Sequence, residues 1–343
     1  MFISSASALL QIFTWSFFIP SLILNIGLIM AIHREKRTDN RFRKFNTIFL
    51  CSVYSTTCIT VLFPLIHPTF IPARESIYIV FIGPLGKFCS KLALKLLYCA
   101  GVWFVTYQAS ISPIVLTLRW LVVQKKVNCM VLYPKTIRLL LLGSSLPLPI
   151  VQWSYLNFVT PSRKLISYSE KSQEEAVGKL TAMDGLSFLV VDWTYCFLIL
   201  TFTIPYILFF FVSYFSHRLY MKSIKFMTNE FIDMGYNYAC NINQAILSLA
   251  LQNFILVATP HLILSITVLS RWELGVRALP ATFGCCCIAL TTSMTLFAHF
   301  RTYRRQIGFL FIELLRFNNV SIPIFTTANQ PAAFSTHYQV STV

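Results

Sequence analysis

Charge is what this sequence lacks most. Only 12% of its 343 residues are Asp, Glu, Lys or Arg, about half the share of an ordinary soluble domain. Acidic residues are the scarcest, 12 in all, which leaves little material for general acid–base catalysis or a hard-cation cage. The six histidines (His33, His67, His217, His261, His299 and His337) are scattered, with no HxxH or HExxH spacing. Ten cysteines include no CxxC pair, so the usual zinc and redox signatures are missing. No Ser/His/Asp grouping converges. The sequence is therefore not that of an enzyme, and it calls for no cofactor and no metal.

What is present is apolar. Hydrophobic residues make up 56% of the chain and Phe alone occurs 31 times. A soluble fold would have to expose much of this surface, so a bilayer is the better solvent. A bilayer core takes roughly 20 apolar residues per helix. Seven runs qualify: Leu9–Ile32, Phe45–Ile66, Leu92–Leu118, Ile137–Phe158, Trp193–Phe215, Ala245–Leu269 and Ala278–Phe300. Pro20, Pro113, Pro147, Pro149, Pro205 and Pro260 fall inside them, as membrane helices allow. A shorter run, Ile77–Leu85, is broken by Gly83-Pro84 and reads as an exterior loop dipping towards the interface. The first run lacks the basic n-region of a cleaved signal and is too long for one. The expected fold is an all-α membrane protein, a bundle of seven transmembrane helices over residues 9–300.

The net charge of +16 raises the question of nucleic acid. The basic residues lie between apolar runs rather than on one face, so they report topology instead. Eighteen of them fall on one set of connections, in the stretches Arg34–Lys44, Arg119–Arg138, Arg218–Lys225 and Arg301–Arg316. Ten fall on the other set, together with seven of the 12 acidic residues. The richer side is cytoplasmic by the positive-inside rule. That places a short N-terminal segment, residues 1–8, outside the cell and the protein in the plasma membrane. After the seventh run, Tyr303, Ile307, Leu310, Phe311 and Leu314 recur at helical spacing among charged residues. This predicts an amphipathic eighth helix along the inner surface over residues 301–317. Residues 318–343 are polar and read as a disordered cytoplasmic tail. The tail ends Ser341-Thr342-Val343, a pattern that PDZ domains capture.

The third run ends Phe104-Val-Thr-Tyr-Gln-Ala-Ser-Ile-Ser-Pro-Ile-Val-Leu-Thr-Leu-Arg119-Trp120. The sixth begins Gln244-Ala-Ile-Leu-Ser-Leu-Ala-Leu-Gln252. Gly83-Pro84, Gly86 and Cys89 precede the third, and Tyr303-Arg304 closes the seventh. Together these segments resemble the nematode chemosensory receptors of the Str superfamily (Srd, Srh, Sri, Srj and Str), with a slight lean to Srd. Arg119-Trp120 stands where that family carries Arg-Tyr, and Gln244–Gln252 matches its Gln-to-Gln spacing. The chain departs from the pattern at Leu256, where the family has Pro, and at Ser293-Met294, where it has Asp-Pro. The resemblance implies a G-protein-coupled receptor for an odorant or pheromone, placed in a sensory neuron cilium and partnered by a heterotrimeric G protein. The competing class is a seven-span transporter or channel without G-protein coupling.

Helical phase singles out residues within this frame. At about 100° per residue, Gly101, Val105, Gln108 and Ser112 share a face with Arg119. A polar line along an apolar helix should face the bundle interior. Arg119 and Trp120, with Gln244, Gln252, Pro260, Tyr303 and Arg304, are the expected switch and coupling residues. Pro260 frees a carbonyl four residues back and permits a kink. By position, Tyr98, Val102, Trp103, Tyr195, His261, Ser265 and Thr282 are candidates to line a small-molecule pocket in the outer third of the bundle. Cys89 and Cys196 lie near exterior helix ends and are the pair that could form a disulfide.

Overall fold

A computed structural model describes residues 2–38, 43–73, 76–126, 134–158, 188–192, 194–227, 233–270 and 283–317. The helices are α1 (Phe2–Thr38), α2 (Arg43–Ile66), a short α3 (Leu85–Phe88), α4 (Lys91–Val123), α5 (Pro134–Ser145), α6 (Pro147–Phe158) and α7 (Tyr195–Met227). They continue with α8 (Asp233–Asn253), a π turn (Phe254–Ala258), α9 (Thr259–Leu269), α10 (Phe283–His299) and α11 (Arg301–Phe317). Two compact units result, Met1–Ile307 and Gly308–Val343.

Six helical stretches among the described residues are long and apolar enough to cross a membrane: Gln11–Arg34, Asn46–Ile66, Lys91–Val123, Lys135–Phe158, Leu198–Ile224 and Ala239–Ile266. A seventh, Cys287–His299, is apolar but shorter. None of the seven contains Asp or Glu. Their exposed sides are apolar as well: Ile12, Ile19 and Ile23 on α1 are each at least 60% exposed. In water that surface would be costly; in a multi-pass membrane protein it meets lipid.

Two of the expected spans are interrupted, each at proline. The fourth divides at Leu146, between α5 and α6, because Pro147 and Pro149 remove two backbone donors. The sixth carries the π turn just before Pro260. At its far end α4 closes with Lys125 at φ 55°. There Lys125 N–H donates to Val122 O and Lys126 N–H to Leu121 O, the pairing of a Schellman stop.

The run Ile77–Leu85 is not a loop, and the chain is not purely helical. β1 (Pro68–Ala73), β2 (Ser76–Phe81) and β3 (Phe188–Asp192) form an antiparallel sheet with β2 in the centre. Register pairs Phe70 with Ile79 and Val80 with Phe188. The strand signal was there: Ile77, Ile79 and Phe81 alternate with period two, and all three are fully buried. Gly83 is demanded by a close approach at the exit from β2. A Cβ there would lie 2.3 Å from Leu65 O.

Three apolar clusters stack along the bundle. Beneath the sheet, Phe70, Ile79 and Phe81 pack with Leu94, Tyr98, Tyr195 and Leu264. In the middle, Ile59, Phe63 and Val105 meet Tyr206, Val257 and Ile288. At the opposite end, Leu28, Phe49, Val115 and Ile246 pack with Phe300 and Tyr303. Helix α4 runs through all three. The face deduced for it is buried throughout: Gly101, Val105, Gln108, Ser112 and Arg119.

Candidate functional site

A narrow cavity of about 50 Å³, room for about one or two water molecules, lies between the sheet cluster and the middle one. Four of the sequence-predicted residues line it: Tyr98 and Val102 from α4, Tyr195 from α7 and His261 from α9. Phe63, Phe70, Val105, Ile199, Tyr206 and Val257 supply most of the apolar wall. Among the described residues, no charged side chain lines it.

Its polar groups converge from four helices. The Tyr98 and Tyr195 hydroxyls are 3.3 Å apart, and Gln152 Nε2 of α6 donates to Tyr195 at 3.3 Å. Gln152 is fully buried, yet no described residue donates to its Oε1. A buried orphan acceptor costs about 1–3 kcal/mol unless something fills the role. Edge-on contacts of Phe70 and Phe81 with Tyr98, and of Phe70 with His261, close the sheet side. His261 Nδ1 lies 2.7 Å from Val257 O. A carbonyl only accepts, so Nδ1 carries the proton and Nε2 is an acceptor.

The remaining pocket candidates lie elsewhere. Trp103 follows Val102, and one residue of helix rotates it about 100° off the cavity. Its Nε1 instead donates to Ser145 Oγ of α5 at 3.0 Å. Ser265 is buried, but its hydroxyl donates back to His261 O within the same helix. Thr282 lies outside the described residues. Cys89 is a free thiol packed against the sheet cluster, so no bridge joins it to Cys196, whose side chain lies outside the described residues. Gln152 is the residue the sequence reading missed. Its signal is an amide inside the apolar run of the fourth span.

His261 stands just after the interruption of the sixth span. Thr259 N–H reaches back to Phe254 O, one residue farther than in an α-helix. Pro260 has no N–H for Leu256 O. That freed carbonyl faces α10, where a Cβ on Gly284 would stand 1.9 Å from it. Only glycine lets the two backbones meet there.

Towards the far end, polar side chains tie α4 to its neighbours. Gln108 Oε1 accepts from Ser52 and Ser55 of α2 at 3.1 and 2.7 Å. Ser112 donates to Ile246 O of α8. Arg119 is only 5% exposed; its Nη2 donates to Tyr220 of α7 at 2.8 Å, with the guanidinium 4.8 Å from that ring. Trp120 is half-buried beneath the Lys126 ammonium. Gln252 Nε2 donates to Thr291 O and Thr295 Oγ1 of α10. Gln244 differs: it is exposed, and its neighbour Asn243 takes the buried position. Tyr303 donates to Asn46 at 2.9 Å, and Arg304 caps the last carbonyls of α10, Phe297 and Ala298. Ser293 donates to Asn25 of α1.

No family model matches the chain, and no curated protein sequence matches it either.

Proposed function

We propose that the protein is a chemosensory receptor of the G-protein-coupled class. In this reading, seven spans cross the plasma membrane with the N-terminus outside. The observation that carries it is the juxtaposition of the cavity with a weakened helix. A neutral molecule of only a few heavy atoms that donates a hydrogen bond would satisfy Gln152 Oε1 or His261 Nε2, with its carbons against Phe63 and Phe70; a larger one would have to widen the cavity by bending the sixth span. His261 sits one residue beyond Pro260, where the sixth span lacks an α-helical hydrogen bond. Ligand pressure at His261 therefore acts on the part of that span that bends most easily.

A ligand shifts the population only by its differential affinity for the two states. The π turn supplies a cheap second state, because its backbone bonds are already rearranged. Bending there would move α8 relative to α4 at the Ser112–Ile246 contact, towards the end that holds Arg119 and Tyr220. In this reading that end is cytosolic, and its basic residues Lys125, Lys222 and Arg218 contact a heterotrimeric G protein. The Str-superfamily resemblance points to the same class.

The test is labelled GTP-analogue binding in membranes of expressing cells, after calcium imaging against a compound panel has supplied an agonist. Gln152→Leu should raise the agonist concentration needed by about tenfold, the worth of one hydrogen bond to a buried amide. Arg119→Ala should uncouple GTP binding while the protein still reaches the surface. Normal coupling by Arg119→Ala would remove its assigned role. Agonist-evoked currents without a G protein would instead favour a channel.

A further inference from the structure

A second concavity, larger than the first and on the outside of the bundle, plays no part in the proposed signalling. It lies between α2, α4 and α5 and encloses about 320 Å³. Cys51 and Cys58 of α2 line one wall, Trp103 and Tyr107 of α4 the floor, and Arg138 and Leu142 of α5 the other wall. The side chains at its mouth are exposed: Tyr54 at 47% and Leu142 at 38%, with Leu139 beside them at 69%. On transmembrane helices such a mouth opens into lipid, not water. Its occupant must come from the membrane.

The chemistry of the walls narrows the choice. Most of the lining is apolar or aromatic. Among the described residues, Arg138 supplies the single full charge, and no carboxylate lines the crevice to answer it. Lys135, three residues earlier on α5, is exposed on the adjoining helical surface. Both bases lie in the first turns of the span Lys135–Phe158, where a headgroup would lie. An apolar slot ending in two bases at a membrane boundary fits an acyl chain with an anionic headgroup. The guanidinium fork matches a phosphate through two parallel bonds, which a sterol hydroxyl cannot use. We propose that this crevice is a binding site for an anionic phospholipid, with its phosphate on Arg138 and one acyl chain along Cys51, Cys58 and Trp103.

Two thiols in the wall make the site readable. The full-length protein is reconstituted into phosphatidylcholine nanodiscs, with or without a minor fraction of phosphatidylinositol. Alkylation by a membrane-soluble maleimide is then followed at each cysteine by peptide mass spectrometry. Phosphatidylinositol should slow alkylation of Cys51 and Cys58 but not of Cys240, which lies outside the crevice. Arg138→Gln should weaken that protection about fivefold, as expected for one basic residue at an anionic surface, while Arg138→Lys keeps most of it. Leu142→Trp should fill the slot, protecting both thiols in either lipid and removing phosphatidylinositol carried over in native mass spectrometry. Unchanged alkylation with phosphatidylinositol overturns the proposal. Equal protection by cholesterol, or full protection in Arg138→Gln, overturns the anionic headgroup.

Discussion

Gly284→Ala offers the sharpest test of how the sixth span is held. The added methyl would stand 1.9 Å from Leu256 O, and ordinary contact begins near 3.4 Å. One side must yield by about 1.5 Å, and the obstacle is backbone, not the end of a flexible chain. Overpacking of this kind costs about 1–3 kcal/mol, offset by at most about 1 kcal/mol from alanine's better helix propensity. A net loss of roughly 1–2 kcal/mol is expected. The assay is thermal unfolding of detergent-purified protein, followed by a thiol-reactive dye that reports exposure of the buried Cys99. Gly143→Ala on α5 is the control: no described residue lies within 4 Å of a Cβ there, so it should be neutral or slightly stabilising. Pro260→Ala completes the cycle. It restores an N–H that can draw Leu256 O back into the helix, so Pro260→Ala should relieve part of the Gly284→Ala penalty. If Gly284→Ala melts no lower than Gly143→Ala, the close approach is not what sets the helix spacing.

Three further outcomes are expected. His67 is 2% exposed after α2, with Nδ1 3.2 Å from Thr14 Oγ1, and burial pushes its pKa down to about 4 from 6.5. The folded state therefore resists protonation: stability is full above about pH 6.5 and falls as pH drops towards 4, by up to about 3 kcal/mol. Melting curves across that range should show a shallower fall for His67→Asn, which tolerates the positive φ of 33° and does not titrate; equal falls refute the assignment. Gln152→Leu should leave the melting temperature unchanged or raise it, since it deletes an orphaned acceptor; a fall of several degrees would mean the amide is structural. Tyr220→Phe keeps the ring under Arg119 but removes the 2.8 Å bond, so it should cost about 1–3 kcal/mol, and less than Arg119→Ala.

The helical frame was legible because lipid allows few solutions. An apolar run of about 20 residues must satisfy its own backbone, and six of the seven runs read from hydropathy reappear as helical stretches long enough to span, the seventh as a shorter apolar helix. The inward face of α4 was legible for the same reason, since Gln108, Ser112 and Arg119 have no partners in lipid. The sheet was not. Hydropathy windows tuned to spans pass over a run as short as Ile77–Phe81, and the partner strand β3 lies over a hundred residues away. Pairing at that distance leaves no local trace beyond period two.

The pocket was legible only in part, and the reason is angular. Tyr98, Val102, Tyr195 and His261 were chosen by depth along their helices, and depth brought them together. Trp103 shares that depth with Val102 yet faces the crevice on the other side of α4, because one residue of helix turns the side chain by about 100°. Gln244 and Asn243 differ in the same way, one exposed and one buried. Depth is written in the length of an apolar run, whereas azimuth depends on which neighbours pack where. That also explains why Gln152 escaped notice. A lone amide in an apolar run announces that it must face protein, but not which cavity; that was decided by Tyr195, 43 residues on. The same geometry that turns Trp103 out of one cavity places it in the floor of another, so its aromatic ring is better explained by what lies in the membrane than by what reaches the sheet side.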